Sequence, residues 1–341
     1  MRPTFSIVMP VYNLVGEAAD AVQSILRQTF CDFELIIVDD GSTDGSAELL
    51  EGFASERIKV IHQRNQGVVA ARENGFLSSV GKWVLFVDGD DAIEENTLDV
   101  IAKTVQRENP DMVQFGYKYV DQNGVIKLMK PDKVGSSFVK SILDEMKRNP
   151  LEVVGMCIGD KCYRREIAET AFKDVGDVRI AHSEDGLFAI AALYHAKRIS
   201  FVQDCLYEYR YRENSASHKL NLDIVKIKEA FIKRIGELSD QCACIDQNKK
   251  KRIFDSLSRE ALGHIFRLCL DRRCSMAMVR RLANELRESS FFQKERSDWN
   301  PVSHCAMRAL VHMPMALYLA RPLVGLLAKV KWAMKSKSGC Q

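Results

Sequence analysis

The chain has 341 residues, 46% hydrophobic and 28% charged, with a net charge of +3 at neutral pH. This is the composition of an ordinary globular protein with enough apolar material for a sizeable core, and its overall charge gives no support to nucleic acid as a partner. The charge is uneven: from Pro301 onward the chain carries six Lys and Arg and no Asp or Glu, so that tail holds +6 and the rest −3.

Taken in chain order, the N-terminal "MRPTFSIVMPVYN" has too short an apolar run for a signal peptide and reads as a first strand. Three further apolar runs, "FELIIVDD", "IKVIHQ" and "WVLFVDGDD", lack strict alternation, as expected of strands buried on both faces. Helix-period segments separate them, over Glu17–Gln28, Asp44–Ser55 and Gly67–Val80. Ser42, Thr43 and Asp44 offer caps for the second of these. Strand and helix in alternation predict an α/β domain with a mainly parallel sheet flanked by helices.

Beyond Asp91 the pattern loosens. "DMVQFGYKYVDQNGVIKLM" predicts two strands joined at Asn123-Gly124, a strong hairpin signal. A helix is expected over Ser136–Arg148, another within "HSEDGLFAIAALYHA", and a strand at "ISFVQDCLYEYRYR". From about Asn221 the spacing is helical throughout, which places a boundary near Lys219. The expected division is 1–219, with halves 1–100 and 101–219, followed by a helical region 220–341.

The ten cysteines are scattered, and Cys157 with Cys162 or Cys242 with Cys244 lack a second pair at zinc-finger spacing; they read as reduced thiols of a cytoplasmic protein. No segment reaches the roughly 20 apolar residues of a membrane span. Ala309–Lys335 comes nearest and is broken by Pro314, Arg321 and Pro322. Two readings stay open for it: a basic amphipathic helix lying on an anionic membrane, or a hydrophobic helix packed on the protein's own core.

In an open α/β sheet the ligand site lies at the carboxyl ends of the strands, where "MPVYN", "VDDGSTDGS" and "VDGDD" converge. The last stretch ends a buried strand in Asp88, Asp90 and Asp91 with only Gly89 between them, and like charges so close need compensation. Alone, such a pair reads most simply as an acidic loop capping the next helix. As a ligand set, Asp88 and Asp90 are hard oxygen donors suited to Mg²⁺ or Mn²⁺, and the missing side chain at Gly89 would let a ligand approach the backbone.

The pair is not alone. "FSIVMPVYN", "SILRQTFCDFELIIVDDGSTDGS", "NQGVVAARENGF" and "GKWVLFVDGDD", in this order and spacing, closely resemble the family 2 glycosyltransferases of the GT-A (Rossmann-like) fold, from about Thr4 to Asp91, thinning up to Arg212. The resemblance implies a nucleotide-sugar pocket in which Pro10, Val11, Tyr12 and Asn13 wall the base and ribose. Asp40 would accept from the base imide, favouring uracil. Gly67 would open a helix toward the site, with Arg72 in reach of the diphosphate or of the "DGD" carboxylates. It implies Asp88 at ribose or metal, Asp90 on the metal, and His218 as a third ligand, with Arg210 or Arg212 on phosphate. Asp185 of "HSEDGLF" would be the general base of an inverting transfer and Glu184 its support. Asp91 is left as a cap for the segment after it.

The Q-x-x-R-W motif of processive synthases is absent, so one sugar per encounter is expected. The implied activity is a Mn²⁺- or Mg²⁺-dependent hexosyl- or N-acetylhexosaminyltransferase acting on a glycan or lipid-linked acceptor in surface polysaccharide synthesis. It would sit in the cytoplasm, peripheral at the inner face of the plasma membrane through residues 303–337. A sugar nucleotidyltransferase would need a glycine-rich basic loop after the first strand, which "MPVYNLVGEAAD" lacks. A non-catalytic nucleotide-sugar or glycan-binding protein on the same scaffold would be favoured by loss of Asp90 or Asp185, and both are present.

Overall fold

The computed structural model describes residues 2–176, 183–213, 215, 220–289 and 314. Two compact units divide the chain: Met1–Ser217 with Leu238–Ile245, and His218–Glu237 with Asp246–Gln341.

The first unit opens with β1 (Phe5–Val11), α1 (Ala18–Leu26), β2 (Phe33–Asp39), α2 (Ser46–Glu51), β3 (Ile58–His62), α3 (Val68–Leu77) and β4 (Trp83–Phe86). Every residue of β1 and β4 is buried, as their unbroken apolar runs require of strands covered on both faces. Helix α1 buries Ala18, Ala21, Val22 and Ile25, the i, i+3, i+4, i+7 stripe of an amphipathic helix. Helix α3 comes unusually near the sheet because Gly75 has no side chain: a Cβ there would lie 2.5 Å from Val8 Cγ1 and 3.1 Å from Val38 Cγ2.

The chain continues through β5 (Ala92–Ile93), α4 (Thr97–Glu108), β6 (Met112–Val120), β7 (Ile126–Met129), β8 (Gly135–Phe138), α5 (Val139–Glu145), α6 (Leu151–Val154), β9 (Lys161–Arg164), α7 (Arg165–Val175), α8 (Glu184–His195) and β10 (Arg198–Arg210). The sheet order is β3-β2-β1-β4-β9-β6-β10-β5, with β7 on β6 and β8 on β10. It is a mixed sheet. Strands β3, β2, β1 and β4 are mutually parallel, and β6 is parallel to β10. Between these groups β9 runs antiparallel to both β4 and β6, so β1, β2, β4, β6 and β10 all point the same way. Their carboxyl ends, after Val11, Asp39, Phe86, Val120 and Arg210, gather on one edge.

Gly124 closes the β6–β7 hairpin at φ 73°, and Asp121 accepts from the backbone N–H groups of Asn123 and Val125. The expected helix over 136–148 is corrected: Gly135–Phe138 pairs with Arg198–Phe201 of β10, and the helix begins only at Val139. Pairing with a neighbouring strand decides the conformation of such a short segment, which local spacing does not register. The second unit is helical: α10 (Gln247–Leu270) starts at Asp246, whose side chain accepts from Lys249 N–H, and α11 (Met276–Glu288) at Ser275, which accepts from Met278 N–H. Helix α11 buries Val279, Leu282, Ala283 and Leu286 on one stripe. Helix α9 (Ile224–Gln241) precedes both.

Gly75→Ala is expected to lower stability by about 1–3 kcal/mol through overpacking, against a helix-propensity gain of about 1 kcal/mol at most. Chemical denaturation reads the difference, and an unchanged or raised midpoint would mean that Val8 and Val38 move aside.

Candidate active site

The loops after β1 and β2 are stitched together. Asn13, at φ 53°, accepts from Thr43 N–H with its side-chain oxygen and donates its own N–H to Ser42 Oγ. Leu14 N–H reaches Ser46 Oγ and Val15 N–H reaches Asp44. Tyr12, half exposed, stands free of this stitching. Pro10 and Val11, expected at the wall of base and ribose, are both buried at the end of β1; Val11's side chain belongs to the hydrophobic core, and its carbonyl accepts from Asp40 N–H. Asp40 is itself 3% exposed and accepts from Gln63 Nε2 and the backbone N–H groups of Gln66 and Gly67, so it shapes the loop that leads into α3.

The three carboxylates after β4 have separate partners. Asp88 Oδ1 accepts from Arg72 Nη2 at 2.7 Å. Asp90 Oδ2 lies 3.2 Å from Arg212 Nη1, and Arg212 Nε reaches Glu17 at 2.9 Å. Asp91, 2% exposed, accepts from the Tyr207 hydroxyl at 2.6 Å and from Arg210 N–H at 2.9 Å. Burial, with the neighbouring charge of Asp88, pushes the Asp90 carboxyl up, while Arg212 opposes it. Burial raises Asp91 much further, and Asp88 and Asp90 add to the rise. Asp91 therefore does more than cap the next helix: it ties the β4 loop to β10.

Arg72 joins the two halves of the site. Its side chain is 5% exposed, and besides Asp88 it holds Asp185 Oδ1, at 2.5 Å from Nη1. Asp185 lies in the first turn of α8, beside Glu184, whose carboxylate accepts from Ser183 N–H. Burial pushes the Asp185 carboxyl up to about 7 against the pull of Arg72, with Asp88 and Glu184 contributing to the rise. Its second oxygen accepts no hydrogen bond from another described residue. A carboxylate that is neutral or charged near neutral pH, a quarter exposed and held in one orientation is suited to proton abstraction.

Comparison with known proteins bears on the family and the fold. Residues 6–172 match the model of "Glycosyl transferase family 2". The chain belongs to that family. EpsH of Bacillus subtilis (strain 168), a glycosyltransferase by name, is 27% identical over 96% of this chain and 95% of its own. The glycosyltransferase EpsJ of the same organism is 31% identical over 229 residues, which span 63% of each protein, under two thirds of its length. Among solved structures, residues 1–349 of S. aureus TarS in complex with UDP-GlcNAc superpose with a TM-score of 0.70 at 20% identity, covering 95% of this chain and 92% of that one. The fold is GT-A and the protein is a glycosyltransferase.

In this family 2 enzyme the donor set at the β4 loop fits a divalent cation. Asp88 is paired with Arg72 and Asp90 with Arg212, beside the buried carboxyl of Asp91. Asp88 and Asp90 each keep one oxygen without a hydrogen bond from another described residue, both of them hard donors. No cluster of three or more His, Cys, Asp or Glu side chains with metal-binding geometry occurs among the described residues. His218 lies outside the described residues, as does almost all of the tail 303–337. At Gly89 a Cβ would meet Leu14 Cδ1 at 2.9 Å, Val11 Cγ2 at 3.0 Å and the Pro10 carbonyl at 3.1 Å, so the glycine also serves close packing of the β1 and β4 loops.

Two supports were missed by sequence reasoning. Tyr207 lies in the alternating "YEYRYR", and the rule that a buried tyrosine hydroxyl finds a partner would have flagged it. Beneath the same corner the buried Lys161 of β9 pairs with Asp160 and donates to the Cys157 carbonyl, fixing the loop that follows α6. Tyr207→Phe leaves one oxygen of the buried Asp91 without its donor. It is expected to lower stability by about 1–3 kcal/mol in thermal or chemical unfolding, and no loss would mean that Asp91 finds another donor.

Proposed function

We propose that the protein is an inverting, non-processive transferase. It moves a hexosyl or N-acetylhexosaminyl group from a UDP-sugar to a hydroxyl of a glycan or lipid-linked acceptor in surface polysaccharide synthesis. The observation that carries this reading is the single buried guanidinium of Arg72, which holds Asp88 of the donor corner and Asp185 on α8 together. The UDP and UDP-GlcNAc complexes of the fold neighbour TarS support the donor class. In this reading Tyr12 and Asn13 border the nucleoside, and Asp40 sets the path of the Gln66–Gly67 backbone beside it. Asp88 and Asp90, with His218, would hold Mn²⁺ or Mg²⁺. Such an ion supplies charge stabilisation to the departing nucleoside diphosphate.

Asp185 takes the proton of the acceptor hydroxyl on its free oxygen. Arg72 keeps the other oxygen fixed, so the lone pair that receives the proton has a defined direction. Attack opposite the leaving group inverts the anomeric centre. Arg212, on Asp90, is placed to meet phosphate oxygens once that carboxylate is shared with a cation.

The test is UDP release from a panel of UDP-sugars with Mn²⁺ or Mg²⁺. Asp185→Asn is expected to lose acceptor-dependent release while retaining donor binding, and full activity would place the base elsewhere. Asp90→Ala is expected to lose metal-dependent donor binding. Because the deprotonated carboxylate is the active form, kcat/KM should rise with pH through an ionisation near 7. Arg72→Gln removes the cation that favours the charged form, so its midpoint should move higher; a flat profile in the wild type would count against Asp185.

No helix among the described residues is long and apolar enough to cross a membrane. We place the enzyme at the inner membrane face through the basic, apolar segment 303–337. A chain ending at Trp299 should pellet less with anionic liposomes, and undiminished pelleting would refute that role.

A further inference from the structure

Among the described residues eleven large apolar side chains are exposed, and five of them, Val125, Ile126, Leu128, Met129 and Val134, fall within ten residues on and just after β7. All four residues of β7 are exposed, although the strand is hydrogen-bonded into the sheet through β6. Isolated exposed apolar residues need no explanation, but a concentration on one strand does.

The same ten residues carry Lys127, Lys130 and Lys133 against the single acid Asp132. Lys133 reaches Glu145, whereas Lys127 and Lys130 are exposed and make no ion pair with a described residue. The segment is held in place: Gln203 Nε2 donates to the carbonyls of Pro131 and Lys133, and β7 pairs with Tyr117–Val120. A firmly held edge strand with Ile126 and Leu128 on one face, Lys127 and Met129 on the other and Lys130 just past its end offers aliphatic and cationic groups together along one exposed border, which suits a surface both apolar and anionic within a few ångströms. An acidic peptide would leave the aliphatic groups in water, and an apolar protein face would strip water from the lysines. A bilayer rich in anionic lipid satisfies both, with ammonium groups at the phosphates and aliphatic groups at the acyl boundary.

We infer that β7 and the turn after it, Val125–Val134, form a docking surface for an anionic lipid bilayer. Its place in the fold gives that contact a use. Strand β7 pairs with the carboxyl-terminal half of β6, beyond the point where β9 leaves it, and Val120 at the end of β6 accepts from Tyr211 N–H. The next residue, Arg212, holds Asp90. The docking strand therefore lies at the sheet edge that presents the catalytic carboxylates, and a lipid-linked acceptor would be offered from that side. This deepens the acceptor class proposed above, and its test needs neither donor nor acceptor.

The experiment is co-sedimentation of the full chain with phosphatidylcholine vesicles with and without phosphatidylglycerol, at low and high salt. Lys127→Glu with Lys130→Glu, and separately Ile126→Ser with Leu128→Ser, are each expected to weaken binding to anionic vesicles about tenfold or more. Thermal unfolding and acceptor-independent UDP release in solution should be unchanged, because neither pair touches the core or the site. Salt should weaken wild-type binding. Equal binding of wild type and both variants would overturn the proposal, as would equal binding to vesicles lacking anionic lipid. Self-association, or retention on an acidic protein, that both variants abolish while vesicle binding stays unaltered would also overturn it. Loss of UDP release in Asp185→Asn bears on catalysis alone, so the two readings fail separately.

Discussion

A guanidinium removed from water is costly unless its charge is answered, and Arg72 is answered twice, by Asp88 at 2.7 Å and by Asp185 at 2.5 Å. The two carboxylates arrive on unrelated elements, one at the end of β4 and one at the start of α8. A buried cation between them admits few arrangements that satisfy both, so the distance from the β4 loop to the start of α8 is fixed by electrostatics as much as by packing. Its Nε is buried without a partner in the described residues, which shows how far the side chain has been drawn from solvent to make these two bonds. Helix α3, which carries Arg72, can lie close enough only because Gly75 lets it settle against Val8 and Val38.

Three aspartates in four residues have thus been given three kinds of work. Asp91 is withdrawn from solvent and accepts two hydrogen bonds, tying the loop to Tyr207 and the Arg210 backbone. Asp88 is turned toward Arg72 and, through it, toward Asp185. Asp90 is left most dependent on something outside its own loop, since burial and Asp88 both disfavour its charge and one partly exposed arginine opposes them. Repulsion within the triplet is not relieved by spreading the charges apart. Each carboxylate is paired in a different direction, Asp88 with Arg72, Asp90 with Arg212 and Asp91 with Tyr207 and the Arg210 N–H.

The fold was legible in the sequence where structure is local. Helix α1 could be placed from the spacing of Ala18, Ala21, Val22 and Ile25, and the β6–β7 hairpin from Asn123-Gly124, because period and turn chemistry act over a few residues. The long-range pairing at the candidate site was not legible in the same way. Arg72 and Asp185 are 113 positions apart and Tyr207 and Asp91 are 116 apart, so nothing in either neighbourhood names the partner. Resemblance of motifs singled out Asp88, Asp90 and Asp185 but could not say that one arginine would join two of them. It also did not reveal that two of its positions serve packing. Val11 faces the core, and Gly89 makes room for Leu14.

The topology explains this division. Strands β1 to β4 follow one another through short crossovers, so the nucleotide side is assembled from contiguous sequence and its motifs keep their order. Past Asp91 the chain lays down β6 first and returns only later to insert β9 between β4 and β6, antiparallel to both. That late strand brings Lys161 and the loop after α6 beneath the corner, and α8 then presents Asp185 from the far side of the gap. A carboxylate delivered on a separate helix is free of the register that fixes the β1, β2 and β4 loops. Its position depends instead on a few long-range ties, chiefly Arg72. The exposed β7 strand and the strand-paired "GSSF" lie between β6 and α8, outside the contacts by which Arg72 ties Asp88 to Asp185.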